Sequence, residues 1–188
     1  MADALFIEPL PAEHEAARTA SEEERAAAAA FGSAQRRCEY LAWRAIVRRE
    51  LGPVRIGYNA TGAPILPERP ELHLGVSHCP GWVAVRIAPH RCAVDIEPRD
   101  RDFRRVAPRY ATPGELALWN DPRLYGILWC AKEALYKYAG MPGLSLRDEL
   151  HVDAIDPDSG IATGRIKEGP ALRLAIRPHD RLFVLTLP

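Results

Sequence analysis

Apolar positions recur along this chain with two periods. Leu41, Ala42, Ala45, Ile46 and Leu51 return at helical spacing and predict a long amphipathic helix that stops at Gly52. Ahead of it, Ser21-Glu22-Glu23-Glu24 forms a capping box before an alanine run and predicts a shorter helix. Four short β-type runs follow, VRIGY (54–58), LHLGV (72–76), WVAVRI (82–87) and CAVDI (92–96), separated by Gly and Pro turns. The remainder repeats this order without repeating the sequence. Thr112-Pro113-Gly114-Glu115 caps a short helix, Asp121-Pro122 opens a longer one ending at Gly140, and strands are expected near 149–153, 161–166, 171–177 and 181–187. The pattern is α+β: two similar αβ halves, 1–97 and 98–188, each with a small, mainly antiparallel sheet and a long packing helix.

One strand breaks its own pattern. In CAVDIEP (92–98), Ala93, Val94 and Ile96 are suited to burial, yet Asp95 and Glu97 lie two apart and so share a face. Two carboxylates held close without a counter-charge raise each other's pKa, so the stretch calls for a cation. A strand edge facing water is the other reading.

The long second helix carries WCAKEALYKYAG (129–140). Glu133 and Lys137 are spaced i, i+4, and Trp129 lies one turn before Glu133 on the same side. An exposed ion pair would explain the spacing, but the tryptophan, leucine and tyrosines around it suggest a face turned toward protein. If that face meets the Asp95 strand, three carboxylates and an ammonium converge. Magnesium suits such a place, since it takes a few carboxylate oxygens and leaves its other positions to water and phosphate. Ser77-His78, at the end of an apolar strand, could hold a phosphate there. His14, His73, His90, His151 and His179 have no motif context.

Composition narrows the class. The 188 residues carry 25 basic and 25 acidic side chains, and this neutrality argues against a general nucleic-acid binder. Only three of the basic residues are lysines, and the guanidinium fork also suits phosphate oxygens. Cys38, Cys79, Cys92 and Cys130 contain no C-x-x-C pair and are expected as reduced packing residues. With no long apolar run and an acidic N-terminal stretch, neither membrane anchor nor signal peptide is expected, which suggests the cytoplasm.

In order, Ser77-His78, Val94-Asp95-Ile96-Glu97 and the W-x-x-K-E-A-x-x-K run from Trp129 to Lys137 resemble the signature of the 4′-phosphopantetheinyl transferase superfamily, over roughly residues 35 to 150. The chain length and two αβ blocks are similar to the single-chain Sfp type, which implies a monomer whose halves form a pseudo-dimer around the active site. The resemblance implies transfer of the phosphopantetheine arm of coenzyme A to a serine of an acyl or peptidyl carrier protein, with release of 3′,5′-ADP. It implies magnesium on Asp95, Glu97 and Glu133, with Glu133 also as base toward the serine. Lys137 would neutralise the phosphates, Ser77 and His78 would meet the nucleotide end of coenzyme A, and Arg44 would add a phosphate contact. The chain departs from the family pattern at Gly62-Ala63-Pro64, where Gly-Lys-Pro is frequent, and at Ala93, where glycine is. The 33 residues between Asp95 and Trp129 are also few for the family. Two other functions fit the same residues: a non-catalytic coenzyme A or carrier-binding homologue, and a magnesium-dependent nucleotide pyrophosphate hydrolase.

Overall fold

A computed structural model describes residues 3–188. The chain runs β1 (Ala4–Pro9), α1 (Glu13–Ala16), α2 (Glu22–Ala29), α3 (Ala34–Leu51), a two-residue hairpin β2 (Gly57–Tyr58) and β3 (Pro64–Ile65), then β4 (His73–Cys79), β5 (Trp82–Ala88) and β6 (Ala93–Pro98). After a 3-10 turn at Arg104–Arg109 come α4 (Pro113–Leu116), α5 (Leu124–Ala139), β7 (Leu150–Asp156), β8 (Ile161–Ile166), β9 (Leu172–Ile176) and β10 (Leu182–Leu187). No helix among the described residues is long and apolar enough to cross a membrane.

Local chemistry sets the helix ends. The Ser21 hydroxyl accepts from the Glu24 amide while the Glu24 carboxylate accepts from the Ser21 amide, as the capping box requires. The same reciprocal pair joins Thr112 and Glu115 at the start of α4. Gly52 follows α3, and α5 ends on Gly140 in the left-handed conformation, φ 59°. Two strands were missed in the sequence, β1 and the two-residue β3, and another was overdrawn: of 54–58 only Gly57 and Tyr58 pair, because their partner strand offers just two residues.

Every strand pairing is antiparallel, in sheets ordered β1-β5-β4 and β6-β10-β9-β8-β7. Strand β6, counted above with the first half, is hydrogen-bonded along its length to β10 and closes the second sheet. Helix α3 buries Leu41, Ala42, Ile46 and Val47 on the first sheet, with Val83, Val85 and Ile87 opposite. Helix α5 buries Leu128, Ala131 and Leu135 on the second, against Leu174, Leu185 and Leu187. A small third core, containing Val94, Ile96, Val184 and Ala84, joins the sheets.

The edge strands β4 and β6 meet without a backbone ladder. A Cβ on Gly75 would lie 3.2 Å from Ala93 Cα and Val94 N, so a larger residue would have to push the strands slightly apart. The Ser77 hydroxyl completes the join, accepting from the Ile96 amide at 3.2 Å and donating to Asp95 at 2.9 Å.

A second join uses Arg86 of β5, which is buried, pairs with Asp3 and donates to the Leu187 carbonyl of β10. The Arg86 hydrogen bond holds the Asp3 carboxyl below its ordinary value of 3.8. A carboxylate depressed in the folded state contributes stability above its unfolded pKa and loses it as pH falls through the folded one. Thermal midpoints should therefore drop less between about pH 6 and pH 3 in Asp3→Asn than in the parent. Equal drops would show that the pair adds nothing to stability.

Candidate functional site

The packing of β4 against β6, and of α5 across β6, brings the motif residues together. Ser77 and His78 from β4, Asp95 and Glu97 from β6, and Trp129, Glu133 and Lys137 from α5 line one cleft of about 420 Å³. Helix α3 supplies the facing wall through Arg36, Glu39, Tyr40 and Trp43.

Each carboxylate on β6 meets its own cation. Asp95, 4% exposed, accepts through Oδ1 from Lys137 Nζ at 2.7 Å and from the Ser77 hydroxyl at 2.9 Å. Lys137 also donates to the Val94 carbonyl at 3.2 Å. This lysine therefore reaches across to the strand, and the intrahelical pair with Glu133 does not form. Glu97 accepts from Arg101 at 2.8 Å and from the Trp129 indole at 2.9 Å. That indole stands edge-on to Tyr110, with ring centres 5.1 Å apart.

These cations leave an acidic surplus. Asp95 Oδ2 is buried and has no hydrogen-bond partner. Burial pushes the Glu133 carboxyl above its ordinary value, and the Asp95 charge adds to the shift. Burial also raises Glu97, against the pull of Arg101. Among the described residues no three His, Cys, Asp or Glu side chains are drawn into a ready-made metal cage.

His78 Nε2 lies 3.3 Å from Arg36 Nη1, and its Nδ1 lies 3.3 Å from Glu39 Oε2. Burial holds the ring's pKa below the usual histidine range, so it is neutral at pH 7. Arg36 keeps 56% of its side chain in solvent at the mouth of the cleft.

Arg44 does not line this cleft. Its guanidinium is buried 3.5 Å from the Tyr40 ring centre and 4.1 Å from that of Trp43, and it donates to the Tyr40 carbonyl and the Tyr58 hydroxyl. Aromatic stacking holds it inside the wall, and the arginine that α3 presents to the cleft is Arg36, two turns earlier. The sequence reading missed Arg36, although Arg36, Tyr40 and Trp43 at i, i+4 and i+7 form a legible helical face.

Lys132 of the same motif faces away from the cleft. It is fully buried and pairs with Glu115 at 2.7 Å. Glu115 also accepts from the Val152 amide at 2.9 Å and the Thr112 amide at 2.7 Å, so one carboxylate ties α4, α5 and β7 together. The four cysteines are all buried and unpaired.

Fold and site together define an α+β protein with a carboxylate-rich cleft where two antiparallel sheets join. A family model for the 4′-phosphopantetheinyl transferase superfamily matches residues 91–180, a stretch that includes Asp95, Glu97 and the whole α5 motif. A 4′-phosphopantetheinyl transferase of Bacillus subtilis is 28% identical over 120 residues, covering 56% of this chain and 53% of its own. The chain thus spans about half the length of the curated relative it matches. Both comparisons show the similarity to the 4′-phosphopantetheinyl transferase superfamily.

Proposed function

We propose that the chain is a phosphopantetheinyl transferase of the single-chain Sfp type, with halves 1–97 and 98–188 meeting as a pseudo-dimer around this cleft. It moves the phosphopantetheine arm of coenzyme A to a serine of an acyl or peptidyl carrier protein. The observation that supports this best is the gathering of Asp95, Glu97, Glu133, Lys137 and His78 from three elements on one cleft. A monomer in the cytoplasm fits this reading.

In the transfer, the serine oxygen forms a bond to the phosphorus that carries the pantetheine arm. The anhydride bond on that phosphorus breaks, and 3′,5′-ADP leaves with the electron pair. Glu133 takes the serine proton, for which its raised pKa suits it. Lys137 neutralises the pyrophosphate before and during bond breaking. Arg36 and His78 take the 3′-phosphate at the nucleotide end, and Ser77 holds Asp95 in place.

The residues fit a hard divalent cation. Asp95, Glu97 and Glu133 offer carboxylate oxygens, and the orphaned Asp95 Oδ2 lacks a partner. Magnesium held there would neutralise charge on the pyrophosphate. Magnesium alone should raise the thermal midpoint of the protein, and Asp95→Asn should abolish the rise. An equal rise in that variant would remove Asp95 from the metal set.

The transfer itself is tested by mass spectrometry of candidate carrier proteins after incubation with the chain, coenzyme A and magnesium. The expected product is a carrier with phosphopantetheine on serine and one equivalent of 3′,5′-ADP. Release of 3′,5′-ADP without carrier modification would mean a hydrolase, and binding of coenzyme A without turnover a non-catalytic homologue.

A further inference from the structure

The cleft is not the largest cavity among the described residues. One of about 740 Å³ opens at the second sheet, walled by Arg86, Arg99, Arg123, Arg173 and Arg177, with Asp158 as its one carboxylate side chain. In a protein of net charge zero this is a marked local excess of positive charge.

The fold explains how it arises. Leu172, Leu174 and Ile176 of β9 pack on the helix side of the sheet, so Arg173 and Arg177 emerge on the other side. There the three-stranded sheet covers β6 and β10 through Val94, Ile96, Leu182 and Val184, but three strands cannot cover five. Strand β9 is left open beyond the step, and its Arg173 and the Arg177 that follows it are both exposed.

Two of the five charges are spoken for: Arg86 by Asp3 and Arg123 by Asp121. The Arg99 guanidinium donates only to the Leu182 carbonyl, and among the described residues neither the Arg173 nor the Arg177 guanidinium has an ion pair or a hydrogen bond, although Arg177 is near enough to Asp3 to add to the lowering of its carboxyl. Unpartnered guanidinium groups around one concavity repel one another, and an anion removes that cost. Their planar forks match phosphate oxygens, and the volume is that of a small-molecule site.

We propose that this cavity is a second anion site, distinct from the Asp95 cleft, for a small phosphate compound carrying at least two charges. Two sources share that chemistry, inorganic pyrophosphate and a nucleotide bisphosphate, and the test treats them separately.

Isothermal titration of the full chain without magnesium, with inorganic pyrophosphate and separately with adenosine 3′,5′-bisphosphate, decides it. Saturable binding of either probe is expected to weaken at least about tenfold in Arg173→Ser/Arg177→Ser and to persist in Lys137→Ala. Arg173→Lys/Arg177→Lys should retain part of the affinity and lose it with added salt, which keeps the test valid if the serine pair misfolds. The probe that binds identifies the source. No saturable binding of either probe to the parent chain, equal affinity in the serine pair, or loss of all binding in Lys137→Ala would overturn the proposal.

Discussion

Replacing Lys132 with methionine should cost the fold about 3–5 kcal/mol, the loss typical of removing one partner from a buried ion pair. Lys132 is fully buried, and Glu115 beside it is nearly so. Methionine keeps the length and apolar stem but leaves the Glu115 carboxylate without its cation. The carboxylate would still accept from the Thr112 and Val152 amides, and those bonds do not offset an uncompensated buried charge. Urea denaturation gives the loss directly. Adding Glu115→Gln to the methionine variant should recover part of it, since the amide carries no charge to leave uncompensated, while its single oxygen can serve only one of the two backbone donors that now bond separate carboxylate oxygens. A loss under about 1 kcal/mol would place the pair in the class of exposed ion pairs.

This pair also shows where sequence reading runs out. Lys132 sits next to Glu133 inside the motif, and nothing local says that one side chain faces the cleft and the other the core. The helical turn separates neighbours by about 100°, but which side meets the sheet is settled only by tertiary packing. Glu115 was legible as a cap for α4, because capping is a contact over three residues. Its bond to Lys132 spans seventeen positions and carries no pattern.

The same division holds elsewhere. Helices α3 and α5 and most strands were visible because periodicity and capping act within a few residues. The pairing of β6 with β10 joins opposite ends of the chain's second half, and alternation cannot name a partner. Strand β1 was passed over because ALFIEP is short and was weighed for targeting, whereas its order comes from β5 alongside. The alternation placed Asp95 and Glu97 on one face, and both line the cleft. That each would pair with its own side-chain cation, Lys137 and Arg101, depended on the packing of α5 and on the loop after β6. Arg44 was placed by the family resemblance, and three aromatic rings claimed it instead.

Glu133→Gln should lower transfer to a carrier serine by about 10²–10⁴, the range for losing a general base. Glutamine keeps the shape and one oxygen of the side chain and gives up its charge and its basicity. Coenzyme A binding should fall far less, because Lys137, Arg36 and His78 remain to meet the phosphates. Stability gives an independent reading of the same variant. Burial and the neighbouring Asp95 charge hold the Glu133 carboxyl above its ordinary value of 4.5, so the ionised group works against the fold at neutral pH. A carboxyl raised in the folded state adds stability below its unfolded pKa and loses it as pH rises through the folded one. Without magnesium at pH 7, the thermal midpoint of Glu133→Gln should therefore match or exceed that of the parent chain. A variant both more stable and nearly inactive is the pattern of a residue kept for chemistry at some cost to stability. Near-normal turnover would defeat the base assignment, and a large drop in midpoint would recast Glu133 as a structural group.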